Sequence, residues 1–285
     1  AARSLAPEGM LATKKPFEHI RKRYFKLAIP LIGAVFVSIV LSAIARQMFS
    51  DDAIPSAPTI LQILAHATLL HGILGVDSLS AGVWYIAIDF QLYALLLLAL
   101  WLANRAMPQN FLTTARTLLI ALVLASLFYF NRDDSWDNWA VYFFGAYGLG
   151  ALVSWGTSRK QISAWLGLVF VLAAIALFID FRSRIGVALF VAITLCIGRC
   201  TGFIESCPKS KLLGWLGQVS YAVFLVHFPI CMVINGLFDK YAPHIPAIQF
   251  FGIIIAWLAS TAGGALFYYQ VECRAQRLLA PKSCA

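Results

Sequence analysis

The sequence predicts an all-α protein: a polytopic bundle of transmembrane helices, with about eight spans and an interfacial or re-entrant segment on the outer face. Three observations carry that prediction. Hydrophobic residues make up 61% of the 285 positions and charged ones only 12%, with a mean hydropathy of +0.80; soluble chains carry roughly 25% charged residues. Apolar tracts recur at about the 20 residues that cross a bilayer core, and none alternates in the two-residue rhythm of a barrel strand. The basic residues crowd onto one side of the resulting topology.

The elements follow in order. Residues 1–26 form a polar, basic segment, in which 17–26 reads as an amphipathic helix lying on the cytoplasmic surface among anionic head groups. Spans are expected at 27–45, 84–103, 113–130, 139–156, 163–180, 185–198, 213–237 and 246–270, the sixth being the shortest. In the fourth, Gly145, Gly148 and Gly150 permit close helix packing. Residues 271–285 form a polar tail. No linker separates a second domain, so 27–270 is read as one membrane domain.

This arrangement puts 17 of the 22 Lys and Arg residues on the side of the N-terminus. Only Arg46, Arg132, Arg182, Arg184 and Lys240 fall opposite. Cytoplasmic loops carry the excess of Lys and Arg, so both termini are expected in the cytoplasm and the protein in an inner membrane. The net charge of +9 is thereby accounted for by topology. The bilayer is the expected partner and nucleic acid is not. Asp180, Arg182 and Arg184 form an outer cluster that pairs internally or is solvated.

The same count decides residues 58–76, which are apolar enough to cross. A crossing there would divide the basic residues 11 to 11, so the segment is placed on the outer face. Its His66 and His71, five residues apart on a helix, face about 140° apart and make a poor metal pair. Six cysteines show no disulfide pattern, and those outside the spans face the reducing cytoplasm. They are read as structural or incidental, and no metal site is expected.

Ionisable groups inside a bilayer are costly and face a cavity or a partner. Asp89 stands in Trp84-Tyr-Ile-Ala-Ile-Asp89-Phe-Gln-Leu-Tyr93, with Tyr85 and Tyr93 one turn away on the same face. It is either a structural carboxylate or one that orients a base or binds a sugar hydroxyl. His227 stands in Gly217-Gln-Val-Ser220-Tyr221-Ala-Val-Phe-Leu-Val-His227-Phe-Pro229. Ser220 lies two turns from it on the same side, and Pro229 removes a helical donor close by. The topology puts His227 and Asp89 at similar depth. No phosphate-binding glycine loop, HExxH or GxSxG motif is present.

Together these stretches resemble the acyltransferase-3 family of integral-membrane enzymes that decorate bacterial surface sugars. The matching patches are Arg21-Lys-Arg23-Tyr-Phe-Lys26-Leu-Ala-Ile-Pro30, Trp84 to Tyr93, Phe143 to Leu152, Gly217 to Pro229, and Val271-Glu272. The third resembles the family's Phe-rich, Gly-Ala helix, and the fourth, a Gly-x-x-Ser-Tyr…Leu-x-His-x-Pro pattern, is the most specific. Lys26 stands where the family has a second arginine, keeping charge but losing the planar fork. Asp89 stands where glutamate is commoner. The family's first two helices, with their catalytic arginine and histidine, have no counterpart in these residues. With no initiator Met, the expectation is a sequence incomplete at its N-terminus.

The resemblance implies O-acyl transfer, most often acetylation, from cytoplasmic acyl-CoA to a hydroxyl of an extracytoplasmic sugar or glycolipid. It further implies an enzyme that modifies polysaccharide, with no bound cofactor and acyl-CoA as a donor substrate. Asp89 and His227 are the candidate catalytic residues. Trp84, Tyr93, Ser220 and Tyr221 are candidates for substrate contact, and Arg21, Arg23 and Lys26 for the donor phosphates. The competing readings are a transporter or flippase, for which proline-broken helices and midplane charges are also expected, and an inactive glycolipid-binding membrane protein.

Overall fold

Apolar tracts with no water to satisfy their backbone must bond within themselves, and helices do this segment by segment. A computed structural model describes residues 15–48, 54–158, 161–206 and 210–279. The basic residues 1–14, Asp51, Asp52, Cys207, Cys284 and the end of the tail lie outside the described residues. The helices are α1 (Pro16–Met48), α2 (Ile60–Ala67), α3 (Val83–Ala106), α4 (Phe111–Phe128), α5 (Ala140–Gly156), α6 (Ala164–Ile179), α7 (Ser183–Cys200), α8 (Lys211–Tyr241), α9 (Pro246–Phe267) and α10 (Cys273–Leu279). A π-helical turn, Tyr268–Glu272, joins the last two. Two-residue strands, Thr157–Ser158 and Gln161–Ile162, pair antiparallel between α5 and α6.

All eight expected spans are helices. Among the described residues six helical stretches are long and apolar enough to cross a membrane, and α5 and α6 are shorter apolar helices. The sixth span, expected to be the shortest, runs 18 residues, whereas α5 and α6 have 17 and 16. A second difference lies at the start. The surface helix expected at 17–26 is continuous with the first span in the 33 residues of α1. Pro16 pre-sets the first helical turn, and nothing between it and Leu27 breaks the helix.

The chain divides into two compact units, Ala1–Arg21 with Ile88–Pro208, and Lys22–Ala87 with Lys209–Ala285. In the first, Leu96, Leu97 and Leu100 of α3 share a buried core with Leu119 and Leu127 of α4, Phe144 and Leu152 of α5, Leu166 of α6 and Ile185 of α7. Lipid tails are as apolar as these side chains, so close packing and hydrogen bonds must hold the helices together. Gly145 and Gly148 supply the closeness, since a methyl on either would collide with Leu127 or Val123 of α4. Gly150, expected to act with them, faces open space. Ser126 Oγ donates to Tyr142 O at 3.0 Å and accepts from Gly145 N at 2.8 Å.

The ends of these helices are tied by polar side chains. Arg182 donates to Asn131 Oδ1 at 2.7 Å and to Leu127 O at 2.8 Å, a carbonyl left without a helical partner at the end of α4. Asp180 faces both Arg132 and Arg182, at 3.5 and 3.7 Å, the internal pairing expected of that cluster. Gln91 accepts from Ala140 N and donates to Asn138 O, pinning the start of α5 to α3.

In the second unit, Tyr221 Oη donates to Leu27 O and Lys240 Nζ to Met48 O. The two bonds fall in the same order along both chains, so α1 and α8 run parallel. The α8–α9 pair is tighter, with Gly252, Gly263 and Gly264 of α9 against Phe238, Ile230 and Val223 of α8.

The segment that precedes α3 packs back along α1. Arg46 donates to Pro55 O, and Pro55, Ser56 and Pro58 lie with Ser38, Ser42 and Arg46 around one small cavity. Farther along, Tyr24 Oη donates to Ala67 O at 2.7 Å. Arg46 and Tyr24 are about 33 Å apart along α1 at 1.5 Å per residue, so the segment runs back beside most of that helix. Gly82 then meets the backbone of Phe224, partway along α8. Non-helical backbone at this depth needs partners in the protein. Arg46, Tyr24 and the Thr59–Gln62 capping box provide them.

Candidate functional site

The candidate site grows out of one turn of α8. His227 Nδ1 lies 2.8 Å from Phe224 O. A carbonyl oxygen only accepts, so Nδ1 carries the proton, and in the neutral ring Nε2 keeps its lone pair. Pro229, two residues on, leaves the Leu225 carbonyl without its helical donor, yet α8 continues through it.

The His227 ring stands at the end of an aromatic row. It lies 5.9 Å from the Phe224 ring, which meets Tyr85 edge-on at 6.0 Å, and Tyr85 meets Trp84 likewise at 6.0 Å. Gly82 allows the approach, since a methyl there would lie 3.2 Å from Phe224 O. The structure thus connects two of the residues singled out in the sequence, Trp84 and His227, through two that were not assigned roles.

His227 also lines a cavity of about 370 Å³ between α8 and α9. Cys231 and Asn235 follow it at one-turn intervals on α8, facing Ser260, Thr261 and Trp257 of α9. Cys231 Sγ and Ser260 Oγ share a hydrogen bond at 3.2 Å, and Ser260 Oγ is 3.5 Å from His227 O. The rest of the lining is apolar: Val223, Ile253 and Ala256.

The other candidates are placed as follows. Asp89 is half-buried on α3, with Tyr93 buried one turn on. Ser220 is exposed and donates to Gly217 O within its own helix, and the Tyr221 hydroxyl is engaged with Leu27 O. Arg21 and Lys26 are exposed near the start of α1, and Arg23 is half-buried between them.

His66 and His71 correct the reading of that segment. They do not share a helix: α2 ends at Ala67, and Leu69 takes a left-handed φ of 61°. The reversal stacks the two rings 4.2 Å apart and 3° from parallel. His66 Nδ1 donates to Gln62 O, and its Nε2 accepts from Leu79 N at 3.2 Å. His71 is 1% exposed, and neither ring nitrogen has a hydrogen-bond partner among the described residues. Burial pushes both imidazoles below the usual histidine range. With both His66 nitrogens engaged, the pair is a packing element. Among the described residues no group of three or more His, Cys, Asp or Glu could hold a metal ion.

Compared with known proteins, residues 9–268 match the family model described as an acyltransferase domain. No curated protein and no solved structure matches the chain.

Proposed function

That the chain belongs to the acyltransferase-3 family is the premise from which we propose its reaction. It is a multi-pass membrane acyltransferase, and the group it moves is an acyl, in the simplest case acetyl, carried by acyl-CoA on the cytoplasmic side of a bacterial inner membrane. The acceptor is a hydroxyl of an extracytoplasmic sugar or glycolipid. The carrying observation is the His227 tautomer: Nδ1 is occupied by Phe224 O, and the ring borders a cavity large enough for a reacting group.

In this reading His227 Nε2 takes the proton of the acceptor hydroxyl. The oxygen attacks the thioester carbonyl, the C–S bond breaks, and the proton passes to the coenzyme A thiolate. Arg21, Arg23 and Lys26 hold the donor phosphates, a role suited to cations at the cytoplasmic start of α1. Trp84 extends the His227 aromatic row and offers a flat face to a sugar ring. Asp89 and Tyr93 bind acceptor hydroxyls, with Ser220 and Tyr221 shaping the helix that carries His227.

The test is transfer of radiolabel from acetyl-CoA to a glycolipid hydroxyl by the purified chain in lipid. Label should appear with the wild-type protein and be lost in His227→Gln. No transfer from any short-chain acyl-CoA sinks the reading. Transfer undiminished in His227→Gln removes the assignment of the base.

A further inference from the structure

The mechanism above uses one of five polar side chains that line the α8–α9 cavity. His227, Cys231 and Asn235 repeat every fourth residue on α8, and Ser260 and Thr261 face them from α9. Within helices otherwise so apolar, a polar strip converging on one cavity marks a site of function. The one side chain in that strip with a thiol is Cys231. The side chain is only half-buried, borders the same cavity as His227, and stands one turn beyond it. Side chains lean toward the start of a helix, which carries the sulfur back toward the histidine turn. The Ser260 hydroxyl, 3.2 Å from Cys231 Sγ and 3.5 Å from the His227 backbone carbonyl, holds the sulfur on the wall of the cavity that His227 also lines.

From this geometry we propose that Cys231 carries the acyl group as a thioester between donor and acceptor; the proposal rests on the acyltransferase reading. The Cys231 sulfur attacks the donor carbonyl as His227 Nε2 removes the thiol proton. The bond from the carbonyl carbon to the coenzyme A sulfur breaks, and the leaving thiolate receives that proton. The acceptor hydroxyl then attacks the Cys231 thioester, gives its proton to His227 Nε2, and the proton returns to the Cys231 sulfur. One thioester is exchanged for another, so the first step needs no oxidant and no energy source. The Ser260 hydroxyl donates to the sulfur whenever it bears negative charge, which lowers the cost of a thiolate in an apolar surrounding. A carrier on α8 also separates the two substrates in time, so neither need meet the other in the cavity.

The test uses the full chain in lipid nanodiscs with radiolabelled acetyl-CoA and no acceptor. Label should become covalently attached to the protein, survive denaturation, and be discharged by neutral hydroxylamine, as a thioester is. Adding glycolipid acceptor should chase it from the protein to the lipid, with ping-pong kinetics. Cys231→Ala should abolish both the adduct and transfer, while Cys200→Ala, at the end of α7, leaves both intact. A protein adduct that persists in Cys231→Ala overturns the proposal, as does transfer within about twofold of wild type in that variant, since loss of a nucleophile costs far more. Wild-type transfer without any trapped adduct at saturating donor also overturns it, and leaves the direct reaction standing. Absence of all transfer removes the parent reading with it.

Discussion

Gly264 is the position at which the α8–α9 pair is most sharply constrained. A methyl placed there would lie 2.5 Å from Val223 Cα and 2.9 Å from Val223 Cβ. Carbon atoms settle at about 3.5–4.0 Å, so Gly264→Ala must part the helices locally by about 1 Å. Rotating a side chain cannot relieve it, because the obstacle includes backbone. Overpacking of this kind costs about 1–3 kcal/mol, and the better helix propensity of Ala offsets about 0.8–1 kcal/mol of it. With backbone as the obstacle the cost sits at the upper end of that range, so the expected net loss is about 2 kcal/mol, read as a lower midpoint of thermal unfolding in detergent. Val223 lies one turn before His227 and Ser260 one turn before Gly264, and all but the glycine line the cavity. A displacement of that size should slow transfer by about 10²-fold, since a shift of about 1 Å has that effect on reacting groups. Gly150→Ala is the control: nothing lies within 4 Å of the added methyl, so stability should hold or rise and transfer should not change. An unfolding midpoint and transfer rate for Gly264→Ala equal to wild type would refute the packing argument.

Three further outcomes are expected. His227→Gln should lower transfer by about 10²–10⁴-fold, the usual range for a general base, with an unchanged unfolding midpoint; equal loss of stability would instead mark the histidine as a packing residue. Arg182→Met should destabilise the first unit by about 2–3 kcal/mol, because it strips charged donors from Asn131 and from the Leu127 carbonyl; hydrogen exchange at the α4 end that matches wild type would contradict this. His71→Phe should be neutral or mildly stabilising, since it replaces a buried ring whose nitrogens have no described partner. His66→Phe should cost about 1–3 kcal/mol by orphaning the Leu79 amide. Equal effects of the two substitutions on the unfolding midpoint would show that the stack, and not its hydrogen bonds, sets the stability.

The eight helices expected as spans were legible because each is an apolar tract, six of them at the length that bilayer thickness sets and α5 and α6 somewhat shorter. The preference for an outer segment over a ninth crossing came from charge alone. How far that segment runs along α1 was not legible, because it depends on Tyr24 meeting Ala67 across 43 positions. The stacked histidines were missed for a local reason. Helical periodicity assumes an unbroken helix, and the reversal sits on Leu69, a residue type that gives no sign of a left-handed turn. His227 stood out in the sequence as a polar group in an apolar helix within a specific motif, and the structure places it on the α8–α9 cavity. For Cys231 the sequence supports only a structural or incidental cysteine, since its partner Ser260 lies 29 positions away on the next helix and no spacing within α8 reveals it. Gly145 and Gly148 behaved as small-residue packing predicts, while Gly150 shows that a glycine-rich pattern does not say which glycine faces a neighbour.

The central claim is acyl transfer to an acceptor across the membrane, and sealed vesicles test it most directly. With the chain oriented so that its C-terminal tail faces outward, labelled acetyl-CoA is supplied outside and a glycolipid acceptor is confined to the lumenal leaflet. The account predicts label on the lumenal sugar, abolished by His227→Gln. Label confined to acceptors on the donor's own side, or no label on any sugar while the vesicles remain sealed, would contradict it.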